Sequence, residues 1–319
     1  MNIKSIKTVS WRPLLNVAAL LALCRLPASL PAQPTNVPAN PPVRAPRAVM
    51  MPANPKLPSL FLIGDSTVRN GQGTGTGGQW GWGEPLVNWF DTNKINFVNR
   101  ALGGTSSRTY YANQWSAVRA LLKPGDFVIM QFGHNDGGAV NDASRARGSI
   151  KGVGEETQEI DNQLTHQHEV VHTFGWYERA FITESRAHGA TPMVCSLIPR
   201  NNWKAGRAVR NAADYGGWAG QAALAESAPF LDINEIIARQ YDALGQDQVK
   251  DLFIAGAGPH TSRAGAETNA ICVIAALKGL KEDPLAPYLV PAAAGISPAD
   301  LSRPAPAPAA PAPDKTVPE

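Results

Sequence analysis

Five short apolar runs punctuate the middle of the chain, and each is followed by a polar or glycine-bearing connection. Ser59-Leu60-Phe61-Leu62-Ile63 stops at Gly64; the others are Phe97-Val98, Asp126 to Met130, Pro192 to Ile198 and Pro229 to Asp232. A short run without alternation reads as a strand buried on both faces. Helical patterns lie between them, at Trp115 to Leu122, about Glu169 to His188, Asp232 to Leu244 and Ala264 to Leu280. Strands alternating with helices predict a parallel sheet with helices on both faces, an α/β fold. In such sheets a ligand site lies beyond the carboxyl ends of the strands. Polar residues just after each strand are therefore candidates on geometry alone.

The flanks lack this pattern. Lys4 and Lys7 precede an apolar run from Leu14 to Leu23, about ten residues and too short to span a bilayer. With the break at Leu26-Pro27-Ala28, this predicts an export signal over 1–32, a periplasmic or secreted location and no transmembrane span in the mature chain. Cys24 opens a lipoprotein alternative, although Leu23 stands where a small residue is wanted. Residues 33–57 read as a Pro-rich linker, and 291–319 as a Pro/Ala-rich tail through which neither helix nor sheet propagates. One domain over 58–290 remains. The 319 residues are 44% hydrophobic, enough for a large core. A net charge of +3 without a Lys/Arg block predicts no nucleic-acid partner. Three cysteines are too few for a disulfide scaffold, and Cys195 and Cys272 read as small buried hydrophobes.

Chemistry concentrates in the connections. The first strand exits into Gly64-Asp65-Ser66-Thr67, so Ser66 is either a nucleophile at the sheet edge or an N-cap. After the second strand comes Leu102-Gly103-Gly104-Thr105, where paired glycines either form a tight turn or present a free N–H to a ligand. After the third, Phe132-Gly133-His134-Asn135-Asp136 supplies a side-chain amide at Asn135. Gly258-Pro259-His260-Thr261-Ser262 leads into the last helix and offers His260 as a base. Acyl transfer needs a nucleophile, a base and at least two donors at the developing oxyanion. The ordered set can supply all of them.

These blocks, in this order, resemble the SGNH (GDSL-like) hydrolase superfamily over essentially the whole core. Gly-Gly-x-Ser-Ser-Arg at 103–108, Phe-Gly-His-Asn-Asp at 132–136 and Trp80-Gly81-Trp82-Gly83 are most similar to its rhamnogalacturonan acetylesterase branch. The resemblance implies a three-layer α/β/α sandwich with a mostly parallel, flavodoxin-like five-stranded sheet. It implies Ser66 as nucleophile, His260 as base, and the Ser66 and Gly104 N–H groups with Asn135 as oxyanion hole. No cofactor or metal is implied. The absence of a Gly-x-Ser-x-Gly elbow argues against an α/β-hydrolase. One departure stands out: the family's last block is Asp-x-x-His, and the position three before His260 is Ala257. A main-chain carbonyl would then have to orient the imidazole, with Asp251 the nearest upstream carboxylate.

The expected activity is deacetylation of a pectic polysaccharide by an exported serine esterase, with an acetylated polysaccharide or oligosaccharide as substrate. Arg69, Arg108 and Arg200 are candidates for galacturonate carboxylates, Trp80 and Trp82 for sugar faces, and His134 for a further substrate contact. Two other readings compete. Ala257 allows a catalytically weak or silent carbohydrate-binding relative. His168-Glu169-Val170-Val171-His172 matches the His-Glu-x-x-His pattern of zinc peptidases, which requires a helix to bring both imidazoles to one face.

Overall fold

A computed structural model describes residues 50–301; the expected export signal, Cys24, most of the linker and the end of the tail lie outside the described residues. The strands, in chain order, are β1 (Ser59–Gly64), β2 (Asn96–Asn99), β3 (Phe127–Gln131), β4 (Thr157–Asp161), β5 (His168–His172), β6 (Thr191–Cys195), β7 (Trp203–Lys204), β8 (Arg207–Ala208) and β9 (Phe230–Leu231). The α-helices are α1 (Gly83–Leu86), α2 (Ser107–Tyr110), α3 (Ser116–Arg119), α4 (Phe174–Ala187), α5 (Tyr215–Ala225), α6 (Ile233–Leu244), α7 (Gln246–Val249) and α8 (Arg263–Lys278). Five strands form one all-parallel sheet in the order β2-β1-β3-β6-β9.

The unbroken apolar runs serve both faces of that sheet. Leu60 and Leu62 of β1 face a core shared with Leu86, Ile237 and Val273, whereas Phe61 and Ile63 face Tyr110, Val118, Phe181 and Ala219. Helices α1, α6 and α8 thus cover one face, and α2 to α5 the other, giving three layers. Crossovers leave β1 toward β2 on one side and then toward β3 on the other. The crevice beyond the carboxyl ends of β1 and β3 is therefore the topological switch point. Ser66, Gly104 and Asn135 all lie in connections at that end.

Several elements differ from expectation. The segment expected as helix from Glu169 begins as β5, an antiparallel partner of β4, and α4 starts only at Phe174. Val170 and Val171 favour the strand, and Thr173, whose side chain accepts the Trp176 N–H, caps the helix that follows. The helix expected at Trp115 starts at Ser107 and runs through a π-helical turn at Tyr111–Trp115 into α3. Helix α5 had no sequence signal, because Gly216, Gly217 and Gly220 weaken propensity and its small residues give little amphipathic contrast. The folded segment also continues beyond 290. Lys278 Nζ donates to the Ala293 carbonyl (2.8 Å) and the Ala299 N–H to the Ala275 carbonyl (2.8 Å). Before 58, Asn54 exchanges hydrogen bonds with the Asn96 side chain. Among the described residues no helix is long and apolar enough to cross a membrane.

Candidate active site

Ser66 follows β1 on a tight turn rather than at the start of a helix. Asp65 makes the turn: its Oδ1 accepts from the Thr67 N–H (2.8 Å) and hydroxyl (2.7 Å), while its carbonyl accepts from Val68 and Arg69. Burial pushes the Asp65 carboxyl up to about 6, with the Thr67 hydrogen bonds opposing it. A buried relay supports the turn from below. Trp82 Nε1 donates to Gln131 Oε1 (2.8 Å), and Gln131 Nε2 donates to Thr67 Oγ1 (2.8 Å).

Ser66 Oγ lies 2.8 Å from His260 Nε2, across 194 residues of chain. His260 arrives on the connection into α8. The turn is fixed by the Ile254 N–H donating to the His260 carbonyl (3.1 Å) and the His260 N–H to the Ala257 carbonyl (3.4 Å). Thr261 is bridged to Trp80 and Phe253, and Ser262 caps α8 by accepting the Gly265 N–H. Burial lowers the His260 pKa, a hydrogen bond with the Ala257 backbone raises it, and the positive field of Arg200 lowers it. A carbonyl that accepts from the ring acts in this sense, which makes the Ala257 carbonyl the candidate partner of the imidazole. With Nε2 facing the serine, the tautomer protonated on Nδ1 leaves Nε2 free to accept from the Ser66 hydroxyl. Asp251 is exposed and makes no hydrogen bond to His260, so no carboxylate among the described residues takes the orienting place.

The glycine loop after β2 packs against the serine. A Cβ placed on Gly103 would lie 3.4 Å from Ser66 Cβ. Gly104 has φ +87°, which side-chain-bearing residues avoid, and this conformation turns the loop under the serine. Asn135 Nδ2 gives one hydrogen to the Thr105 carbonyl (2.7 Å) and keeps the other. Neither the Ser66 nor the Gly104 N–H reaches an acceptor among the described residues. The set can receive an ester carbonyl, bind its oxyanion and move one proton.

The remaining candidates separate into two groups. Arg200 lies close enough to lower the pKa of both His260 and His134, and its guanidinium pairs with no carboxylate among the described residues. His134 is held neutral, its pKa pushed to about 3 by burial, Arg200 and His260, and neither ring nitrogen has a partner. Arg69 donates to the Gln72 carbonyl (3.1 Å). Trp80 is partly exposed, with the Arg263 guanidinium over its ring (5.2 Å).

Three expectations are corrected. Trp82 is fully buried in the support of the Ser66 turn, so it offers no sugar platform. Arg108 is 1% exposed and spends four of its five N–H donors on Glu169 (2.6 Å) and the carbonyls of Val140 (2.6 Å) and Gly148 (2.7 Å), leaving no free fork for a carboxylate ligand. The His-Glu-x-x-His motif lies on strand β5, where residues four apart are separated by about 13 Å. Glu169 pairs with Arg108, and His172 stacks on Trp176 with centroids 3.8 Å apart. No metal-binding group of three or more ligands occurs among the described residues.

Sequence reasoning missed Arg147, which donates to the Gly104 carbonyl (2.9 Å) and has no carboxylate within ion-pair distance. Its loop has no regular structure, and Ala146 before it has φ +40°. Nothing in the local sequence marks it.

Comparison with known proteins identifies the family. A family model described as the GDSL-like Lipase/Acylhydrolase family matches residues 62–267, which span Ser66 to His260. A rhamnogalacturonan acetylesterase of Emericella nidulans is 29% identical over 197 residues, 61% of this chain and 75% of the relative. The probable rhamnogalacturonan acetylesterase YesY of Bacillus subtilis is 28% identical over 229 residues, 70% of this chain and 92% of the relative. The crystal structure of the Bacillus subtilis protein YxiM has the same fold, with a TM-score of 0.56 and 22% identity, over 70% of this chain and 56% of that one.

Proposed function

From the premise that this chain belongs to the GDSL-like lipase/acylhydrolase family and is a carboxylic ester hydrolase, we propose that it removes acetyl groups from an acidic, pectic polysaccharide of the rhamnogalacturonan type. The Ser66–His260 contact of 2.8 Å carries the reading. Ser66 Oγ attacks the acetyl carbonyl as His260 Nε2 takes its proton. The N–H groups of Ser66 and Gly104 and the Asn135 amide hold the oxyanion. The protonated imidazole, its Nδ1–H fixed by the Ala257 carbonyl, then returns its proton to the departing sugar oxygen. Water attacks the acetyl-enzyme with the same base, releasing acetate and free Ser66. The lowered pKa of His260 favours the neutral, proton-accepting form of the base.

The relatives' names support the substrate class. Arg200 and Arg147 support its charge, since both flank the site without a carboxylate partner, whereas Arg119, Arg179 and Arg210 are each paired with one. A uronate carboxylate suits guanidinium groups that form no ion pair among the described residues. Export fits a polymeric substrate and rests on the expected signal over 1–32. The test is acetate release from acetylated rhamnogalacturonan, acetylated xylan and an aryl acetate by wild type and Ser66→Ala. Wild type should prefer the acidic polymer, and Ser66→Ala should lose at least about a thousandfold in kcat. Equal rates for the two proteins would refute the mechanism, and indifference to uronate would refute the substrate class.

A further inference from the structure

Asp136 follows Asn135 and is completely buried. Its carboxyl accepts from the Ser107 N–H (3.1 Å), the Ser107 hydroxyl (2.5 Å), the Ser149 hydroxyl (3.1 Å) and the Gly133 N–H (3.0 Å). Its main-chain carbonyl accepts the Ser149 N–H (3.1 Å). Ser107 opens α2 just after Gly104, Gly133 precedes Asn135, and Ser149 follows Arg147. One carboxyl therefore joins the two connections that carry the oxyanion donors to the loop that carries Arg147. The Asn135 bond to the Thr105 carbonyl and the Arg147 bond to the Gly104 carbonyl cross the same gap.

We propose that ionised Asp136 is a positioning residue that sets the spacing between the Gly104 and Asn135 donors without touching substrate. This inference rests on the Ser66–His260 reading. Four donors point at one carboxyl, and two of them are main-chain N–H groups that cannot rotate away. A protonated carboxyl becomes a donor itself, so one of the four must lose its acceptor. The loops then relax, and the donors leave the position where the oxyanion forms. A misplacement near 1 Å costs about a hundredfold in rate.

The surroundings make the charge state titratable. Asp65 and Glu178 of α4 face Asp136 as acids, Arg147 faces it as a cation, and Tyr177 and Tyr215 face it as phenols. Burial pushes the Glu178 carboxyl well above the usual carboxylate range, and the two phenols, pushed up to about 12, are neutral. Burial pushes Asp136 up to about 6, opposed by the four hydrogen bonds.

The test is the pH dependence of kcat, from pH 4.5 to 8, on an aryl acetate and on the acetylated polymer. Asp136→Asn keeps the shape but places an amide donor among donors. It should melt cooperatively, lose about ten- to a hundredfold in kcat on both substrates with KM within about twofold, and lose the wild-type rise near pH 6. Ser107→Ala, which keeps the carboxyl and removes one stabilising donor, should move that rise to higher pH. It serves also if Asp136→Asn does not fold. A kcat for Asp136→Asn within twofold of wild type, a loss confined to KM, or an unmoved rise in Ser107→Ala would overturn the proposal. Failure of wild type to release acetate from any ester would instead overturn the functional reading beneath it.

Discussion

Ala257→Asp is the most informative single substitution. Position 257 stands three residues before His260 between Gly256 and Gly258, both with φ near +70° (70° and 67°), in a turn closed by the Ala257 N–H donating to the Ile254 carbonyl (3.0 Å). A neutral hydrogen bond from the imidazole to its carbonyl would contribute about 0.5–1.5 kcal/mol. A carboxylate acceptor would contribute about 1.5–3 kcal/mol and would favour the imidazolium that forms as Ser66 attacks. The difference, about 1–1.5 kcal/mol, corresponds to about a five- to tenfold rise in kcat/KM and about one pH unit in the His260 pKa. The sign of the pH effect follows from the role of the base. His260 must be neutral to accept the serine proton, so a higher pKa moves the acid limb of kcat/KM upward. The gain is complete on the alkaline side of that limb and shrinks as the pH falls through it. The assay is aryl acetate hydrolysis from pH 4.5 to 9 for wild type, Ala257→Asp and Ala257→Asn. If the Asp and Asn variants share one acid limb and one rate, the ring does not take its orientation from position 257, and the reasoning fails.

Two further substitutions test the corrections made by the fold. Arg108→Met takes the ion-pair partner from Glu169 and the donors from the Val140 and Gly148 carbonyls, so it should cost about 3 kcal/mol, about 6–12 °C in melting temperature, while leaving KM for the acidic polymer unchanged. A melting temperature within 2 °C of wild type, with KM raised, would return Arg108 to the substrate site. Glu178→Met removes a carboxyl whose two oxygens are buried without partners, and should stabilise by about 1–3 kcal/mol. Burial raises the folded-state pKa of Glu178 above its unfolded value, so the wild-type carboxyl is tolerated at pH 4 and becomes costly as the unfolded group ionises. The advantage of the variant should therefore grow between pH 4 and pH 7 in thermal melts. An equal advantage at both pH values would refute this account.

Where local sequence and fold agree, the chain is easy to read. Leu60, Phe61, Leu62 and Ile63 form one unbroken run because the strand is buried on both faces, and Ser66 and Asn135 follow such strands at the sheet edge. Legibility ends where long-range partners decide. Trp82 and Arg108 carry the residue types of a sugar site. Their fate depends on Gln131, 49 residues away, and Glu169, 61 residues away. His168 to His172 fits the spacing of a helical metal motif, yet pairing with Thr157 to Asp161 and the Thr173 cap make it a strand. Ala257 marks the same limit in the opposite sense. A triad read from side chains is incomplete there, and the conformation of the 254–260 turn sets the Ala257 main chain beside His260. In the proposed mechanism the orienting role falls to a backbone carbonyl that every residue carries, not to a residue that sequence displays. Ala257 is therefore weak evidence for a silent protein, and the question of activity passes to whether that turn is rigid enough to hold one imidazole tautomer against Ser66.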